Sequence, residues 1–154
     1  MIKLIFLFLL SLFTGCNPPL PEGDYFYVTL TVSAETLLEN INLLDAEKHE
    51  LLPADGIIFP ETTVRAFEGE TVFDVLSREM RAANIHLVSR QMPIFGAVYI
   101  EGINNIFEFD AGSLSGWKYR VNGEFLGFGA SSSVLQEGDF VEWLYTVDLG
   151  RDLQ

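Results

Sequence analysis

The sequence predicts an α+β fold in which one helix packs on a largely antiparallel sheet of roughly seven short strands. Three observations carry that prediction. Tyr25–Ser33 alternates, with Phe26, Val28, Leu30 and Val32 on one side and Tyr27, Thr29 and Thr31 on the other, the signature of a half-buried strand. Thr71–Ala83 sets Val72, Val75, Leu76, Met80 and Ala83 in a stripe at helical spacing. Gly116–Val121 and Phe140–Val147 are aromatic strands that hold both tryptophans and two of the five tyrosines, and Asn122-Gly123 after the first is a strong hairpin signal.

In chain order, the first segment is not part of that fold. Met1–Leu12 has one lysine and an apolar run, Leu4–Leu10, of signal-peptide length and too short to span a bilayer. Small Thr14 and Gly15 stand directly before Cys16, the single cysteine, in the pattern of a bacterial lipoprotein lipobox, with Phe13 in place of the usual leucine-like residue. The expectation is a lipoprotein signal peptide over residues 1–15 and a diacylglycerol on Cys16, which anchors the protein to the extracytoplasmic face of the membrane. One cysteine leaves no intramolecular disulfide and no cysteine-rich metal site. Residues 16–24 form a Pro-rich, extended tether, and residues 25–154 a single domain.

Within the domain, Leu37–Leu52 mixes signals. Leu37, Ile41, Leu44 and Lys48 have helical spacing while Asn40 and Asn42 weaken a helix, so a connection with one helical turn is expected, with His49 solvated on it. An Asp55-Gly56 turn precedes a short strand at Ile57–Phe59, and Thr62–Phe67 reads as another, ended by Glu68-Gly69. Thr71 is the expected N-cap of the helix with Asp74 as its partner, Asn84 the expected C′ residue, and Arg78 and Glu79 solvated at the edge of the stripe. Ile85–Ser89, Phe95–Glu101 and Asn104–Asp110 are the next strands, with Gly102–Asn105 a tight connection. Trp117, Tyr119 and Val121 share one face against Lys118 and Arg120. Glu137-Gly138-Asp139 turns into the last strand, where Trp143, Tyr145 and Val147 share a face.

From Cys16 onward there are 22 acidic and 8 basic residues, Lys3 being the one basic residue before it, so the net charge there is −14. Such an excess repels nucleic acid and anionic lipid, and keeps the domain soluble by self-repulsion. No catalytic constellation appears. The two histidines, His49 and His86, have no metal-ligand spacing, and no Gly-x-Ser-x-Gly elbow exists. Ser113 and Ser115 read as turn formers, Glu101, Glu108 and Asp110 as a solvated strand face, and Gly127-x-Gly129 lacks the strand-before, helix-after setting of a phosphate loop. The chain is read as a non-enzyme with neither a required cofactor nor a metal.

Four separate runs carry a family resemblance. They are Gly69-Glu70-Thr71-Val72-Phe73-Asp74-Val75-Leu76, Tyr99-Ile100-Glu101-Gly102-Ile103-Asn104-Asn105, Ser115-Gly116-Trp117-x-Tyr119-x-Val121-Asn122-Gly123 and Glu137-Gly138-Asp139-x-Val141-Glu142-Trp143-x-Tyr145-Thr146-x-Asp148-Leu149-Gly150-x-Asp152. In this order they resemble the transcobalamin-like C-terminal domain, whose bacterial members are often Gram-positive lipoproteins of unknown function. The resemblance covers about Tyr25 to Asp152. It implies a β-grasp-like fold with an added aromatic hairpin, and a cobalamin-like corrinoid as ligand. In vertebrate cobalamin carriers the similar domain covers one face of the corrin ring beside a larger helical domain; here the resemblance implies a separate helical partner or a transporter. Many bacterial relatives have cysteines where this chain has Ala34, Ala111, Ala130 and Val147. The resemblance thus implies two disulfides lost as complete pairs, each worth roughly 2–4 kcal/mol, leaving the core and the aromatic hairpin to hold the loop between them.

That loop is the candidate binding surface. Trp117, Tyr119, Phe125, Leu126 and Phe128, with the backbone of Gly127, Gly129 and Ser131, read as a platform for a flat, largely apolar ligand. The glycines are expected to take positive φ and let a ligand approach the backbone. The alternative is a surface module that grips a protein or wall polymer with the same loop. The lipobox reading has a direct test: labelled palmitate enters the wild-type protein in its native host and is lost in Cys16→Ser, and equal labelling of both forms rejects the anchor.

Overall fold

The computed structural model describes residues 23–93 and 96–153. The signal peptide, Cys16 and all but the last two residues of the tether lie outside the described residues, as does Phe95.

Strand β1 (Tyr25–Ser33) alternates as predicted: Val28, Leu30 and Val32 are buried and Tyr25 and Tyr27 exposed. It pairs antiparallel with β2 (Ile57–Phe67), in which the two short strands expected on either side of Pro60 are one. Proline is tolerated there because β2 is an edge strand, and its ladder with β1 bulges between Thr62 and Phe59. The connection from β1 to β2 holds more structure than one helical turn. It comprises α1 (Thr36–Glu39) and two 3₁₀ turns, Ile41–Leu43 and Ala46–Leu51, pinned by buried Leu37 and Leu44. His49, expected to be solvated, is half-buried, with Nε2 2.9 Å from the Leu44 carbonyl oxygen.

Helix α2 (Val72–Ala82) buries Val72, Val75, Leu76 and Met80. Its capping box is formed: the Thr71 hydroxyl accepts from the Asp74 N–H at 3.3 Å, and the Asp74 carboxylate accepts from the Thr71 N–H at 2.9 Å. At the other end Asn84 takes φ +56°, and the Ile85 N–H donates to the Met80 carbonyl at 2.8 Å, closing a Schellman motif. That bond removes Ile85 from the next strand, so β3 spans Leu87–Met92 instead of starting at Ile85. Ala83, assigned to the buried stripe, is the exposed C-cap. Arg78 and Glu79 are not solvated. Arg78 lays its guanidinium 5.6 Å from the ring centre of Phe67 and bonds to Glu70, Glu79 and the Arg65 carbonyl.

Strands β3, β4 (Ala97–Ile103) and β5 (Ile106–Phe107) make a three-stranded antiparallel sheet. Asn104 and Asn105, at φ +54° and +60°, form the two-residue turn between β4 and β5. Gly102 is required opposite β5, since a Cβ would stand 2.7 Å from the Phe107 ring. The strand expected over Asn104–Asp110 is cut short because the Asp110 carboxylate accepts from the Phe107 N–H at 2.7 Å and Phe109 turns to φ +68°. The solvated acidic face is also corrected: Glu101 pairs with Arg90 at 2.5 Å, Glu108 accepts from the Tyr99 hydroxyl at 2.6 Å, and Asp110 pairs with Lys48 at 2.6 Å.

Strands β6 (Gly116–Val121), β7 (Glu124–Phe125) and β8 (Phe140–Thr146) complete the main sheet, in the order β2-β1-β8-β6-β7. Asn122 and Gly123, at φ +53° and +82°, make the predicted hairpin turn. β8 runs parallel to β1 and antiparallel to β6. A hairpin, a crossing helix and a central return strand parallel to the first is the β-grasp-like arrangement, with the small sheet inserted before the return. One core joins both sheets and α2. Ala34, Ala111 and Ala130 are buried in it and Val147 is half-buried. Leu76 is fully buried at the centre of the helix face. Leu76→Ala therefore lowers unfolding free energy by about 2–5 kcal/mol, measured by urea denaturation; a loss under about 0.5 kcal/mol, as at surface sites, contradicts this packing.

Candidate functional site

The aromatic residues of β6 and β8 are cross-strand partners, Trp117 opposite Tyr145 and Tyr119 opposite Trp143. Trp117 and Tyr145 meet edge to face at 5.2 Å, and Tyr119 and Trp143 stack tilted at 5.3 Å. Two of the four polar tips reach the small sheet. Trp117 Nε1–H donates to the Ile106 carbonyl at 2.9 Å, and the Tyr145 hydroxyl donates to the Phe107 carbonyl at 2.8 Å. Beside these ties lies a cleft of about 290 Å³, bounded by Val98–Ile100 of β4, by Trp117–Tyr119 of β6, by Trp143, and by the loop that follows β7.

Six of the eight proposed ligand-binding residues line this cleft: Trp117, Tyr119, Phe125, Leu126, Phe128 and Gly129. Trp117 and Tyr119 are buried at its wall. Phe125 is 41% exposed beneath the Arg120 guanidinium, 5.8 Å away, and Phe128 is 53% exposed. Leu126 and Phe128 also line a second, mixed hollow of about 450 Å³, with Val121 and Val134 beside Asn122, Glu124, Gln136 and Asp139, so the loop is a ridge between two recesses. Gly127 and Ser131 line neither. The Ser131 hydroxyl oxygen accepts from the Val98 N–H at 2.9 Å, and the Tyr119 hydroxyl donates to the Phe128 carbonyl at 2.8 Å, so the loop is pinned on both sides of the cleft.

The expected reason for the loop glycines is corrected. Gly129 has φ −69°, and Gly127 is not among the positive-φ glycines. Gly129 is needed because a Cβ there would come within 2.5 Å of the Ala97 Cβ, whereas one at Gly127 would meet nothing within 4 Å. The cleft residues that sequence reasoning missed are Val98, Tyr99 and Ile100, together with Lys118, Ala130 and Trp143. Trp143 carried the same alternation signal as Tyr119, but β4 lies across the cleft from β6 and no local pattern links them.

Burial and the hydrogen bond to Glu108 push the Tyr99 phenol up to about 12. Burial likewise raises Tyr119 and Tyr145, the latter against the opposing bond to Ser115. Among the described residues no group of His, Cys, Asp and Glu is arranged to hold a metal ion.

A family model described as a domain of unknown function, DUF4430, matches residues 69–147. Among solved structures, haptocorrin in complex with Cbi is similar at a TM-score of 0.58 and 17% identity, over 83% of this chain and 26% of that one. This chain thus spans about a quarter of the haptocorrin chain, and the likeness is one of fold. A candidate metal-binding protein from Ruminococcus gnavus ATCC 29149 aligns at a TM-score of 0.43 and 15% identity, over 79% of this chain and 96% of that one, too distant to carry an argument. No curated protein matches.

Tyr99 gives the site a pH signature. Its proton is held more tightly in the folded state, so the stabilisation is complete below pH 10 and is lost as pH climbs toward about 12. Tyr99→Phe removes that part of the alkaline fall in thermal midpoint, which a series of melts across this window reads directly; an unchanged alkaline slope contradicts the Tyr99–Glu108 bond.

Proposed function

The chain belongs to the DUF4430 family, the transcobalamin-like domain family, and on that premise we propose that it is a lipid-anchored extracytoplasmic binding protein whose cleft takes the edge of a corrinoid or a similar flat, largely apolar ligand. The observation that carries this reading is the cleft itself, with Trp117, Tyr119, Trp143, Leu126 and Phe128 gathered around about 290 Å³. Aromatic walls give a flat ring large contact area at small cost in side-chain entropy. Pockets that bury most of a small ligand run to roughly 300–1,000 Å³, so this cleft takes one edge of a macrocycle and leaves the remainder to solvent or to another protein. That division of labour fits a domain spanning about a quarter of the haptocorrin chain. A separate helical protein or a transporter would cover the open side, with Cys16 and its lipid holding the pair at the membrane. The role assigned is capture and transfer, with no catalytic step.

A second reading, contact with a surface protein or wall polymer, is favoured by Phe128 and Val134, which stay 53% and 58% exposed around the second hollow, and by Phe125 on the first cleft at 41%. Cobinamide titration of the detergent-solubilised protein separates the two. Both tryptophans line the cleft, so bound corrinoid quenches their fluorescence saturably. The double change Phe125→Ser and Phe128→Ser weakens that binding at least tenfold, about 1.4 kcal/mol, and leaves the thermal midpoint within a few degrees. Absence of quenching, with a wall or protein ligand bound by the wild type and lost in the double variant, selects the second reading.

A further inference from the structure

Among the described residues one buried side-chain polar atom has no hydrogen-bond partner, Nε1 of Trp143. The other three aromatic tips of the cross-strand quartet are all satisfied, Trp117 on Ile106, Tyr145 on Phe107 and Ser115, and Tyr119 on Phe128. Trp143 is 3% exposed, yet its side chain belongs to the wall of the cleft, stacked at 5.3 Å on Tyr119. A buried N–H without an acceptor destabilises a fold. Phenylalanine at this position would keep an aromatic stack on Tyr119 and remove the orphan N–H, though the smaller ring would leave part of the indole's volume empty, so packing accounts for the size of the side chain and not for its N–H.

Resting on the reading of the cleft as the binding site, we propose that Trp143 Nε1–H is a recognition donor, satisfied only when a ligand brings a neutral oxygen acceptor, an amide or ketone carbonyl on the rim of its apolar body, to the back of the cleft. The residues facing Trp143 across the cleft include Leu126, Phe128, Gly129 and Ala130. That loop is held over it by the Tyr119 hydroxyl on the Phe128 carbonyl. A ligand that reaches the indole displaces the Leu126–Phe128 end of this loop and breaks the Tyr119–Phe128 bond, while the Ser131 hydroxyl oxygen, accepting from the Val98 N–H, keeps the other end of the loop in place. The donor sets the ligand's chemistry: a carbonyl-bearing rim is selected over an all-hydrocarbon body of the same shape, because the latter leaves the N–H unpaired.

The two tryptophans give two indole N–H signals in a ¹⁵N-resolved proton spectrum, assigned by Trp143→Phe. Trp117, already bonded to Ile106, is the internal control. Titration with N-methylacetamide, the small carbonyl probe, moves the Trp143 signal downfield and leaves Trp117 in place; cobinamide moves the Trp143 signal downfield at lower concentration. Trp143→Phe loses some indole packing and lowers the thermal midpoint modestly, and at temperatures where the variant is fully folded it weakens cobinamide binding at least tenfold, a loss that a purely structural indole does not produce. If cobinamide fails to bind but N-methylacetamide shifts Trp143, the corrinoid assignment falls and the donor role stands. If cobinamide binds equally well to Trp143→Phe, or neither compound moves the Trp143 signal, the donor role is overturned.

Discussion

Two hydrogen bonds from aromatic tips hold the molecule's two sheets together. Trp117 and Tyr145 are neighbours on β6 and β8, and both donate to consecutive carbonyls of β5, those of Ile106 and Phe107. An aromatic side chain buries roughly 150–250 Å², and here the same residues fix the direction in which the small sheet leaves the large one. Buried Ser115 reinforces the joint, its Oγ lying 3.0 Å from the Tyr145 hydroxyl oxygen and accepting from the Ala111 N–H at 3.1 Å. The next pair along the same two strands, Tyr119 and Trp143, has no acceptor in the small sheet. One turns to a loop carbonyl and the other to nothing among the described residues. Framework and cleft are thus successive rungs of one ladder, told apart by where their polar tips go.

The sequence made the framework legible wherever one element buries one face against the core. β1, α2, β6 and β8 follow their local periods, and the caps of α2 and the Asn122-Gly123 turn follow local chemistry. What escaped was set by distant partners. Pro60 read as a break because an edge strand cannot be recognised without its neighbours. Ile85 read as strand because the carbonyl that takes its N–H belongs to the helix before it. The same division runs through the site. The loop and β6 were legible as apolar residues among glycines, but period-2 alternation says which side a residue faces and not what lies across from it. The strand at Phe95–Glu101 was legible, but not its place across the cleft from β6. Gly129 shows the limit sharply: its identity is dictated by Ala97, 32 positions earlier in the chain.

The run after β8 illustrates a motif whose physics is structural. The Asp152 carboxylate accepts from the Val147 N–H at 2.8 Å and bonds the Thr146 hydroxyl, whose oxygen accepts from the N–H groups of Asp148 and Gly150 at 3.1 and 2.7 Å. Gly150 lies where a Cβ would come within 2.9 Å of the Lys118 side chain, so this knot also packs against β6. Its residues terminate the central strand.

The parallel pairing of β1 with β8 sets the order in which the fold is assembled. Thr29 meets Phe140 and Ser33 meets Leu144 across nearly the whole length of the domain. The hairpin of β1 and β2 and the small sheet close over short stretches of chain, but the middle of the main sheet stays vacant until the last strand arrives. Loop closure over such a separation weighs on the rate more than on the final stability. A chain emerging N-terminus first therefore remains without its central strand until Phe140–Thr146 has been made. Until then β1 and β6, the strands that flank it, each keep an unpaired edge of the kind that invites pairing with another chain.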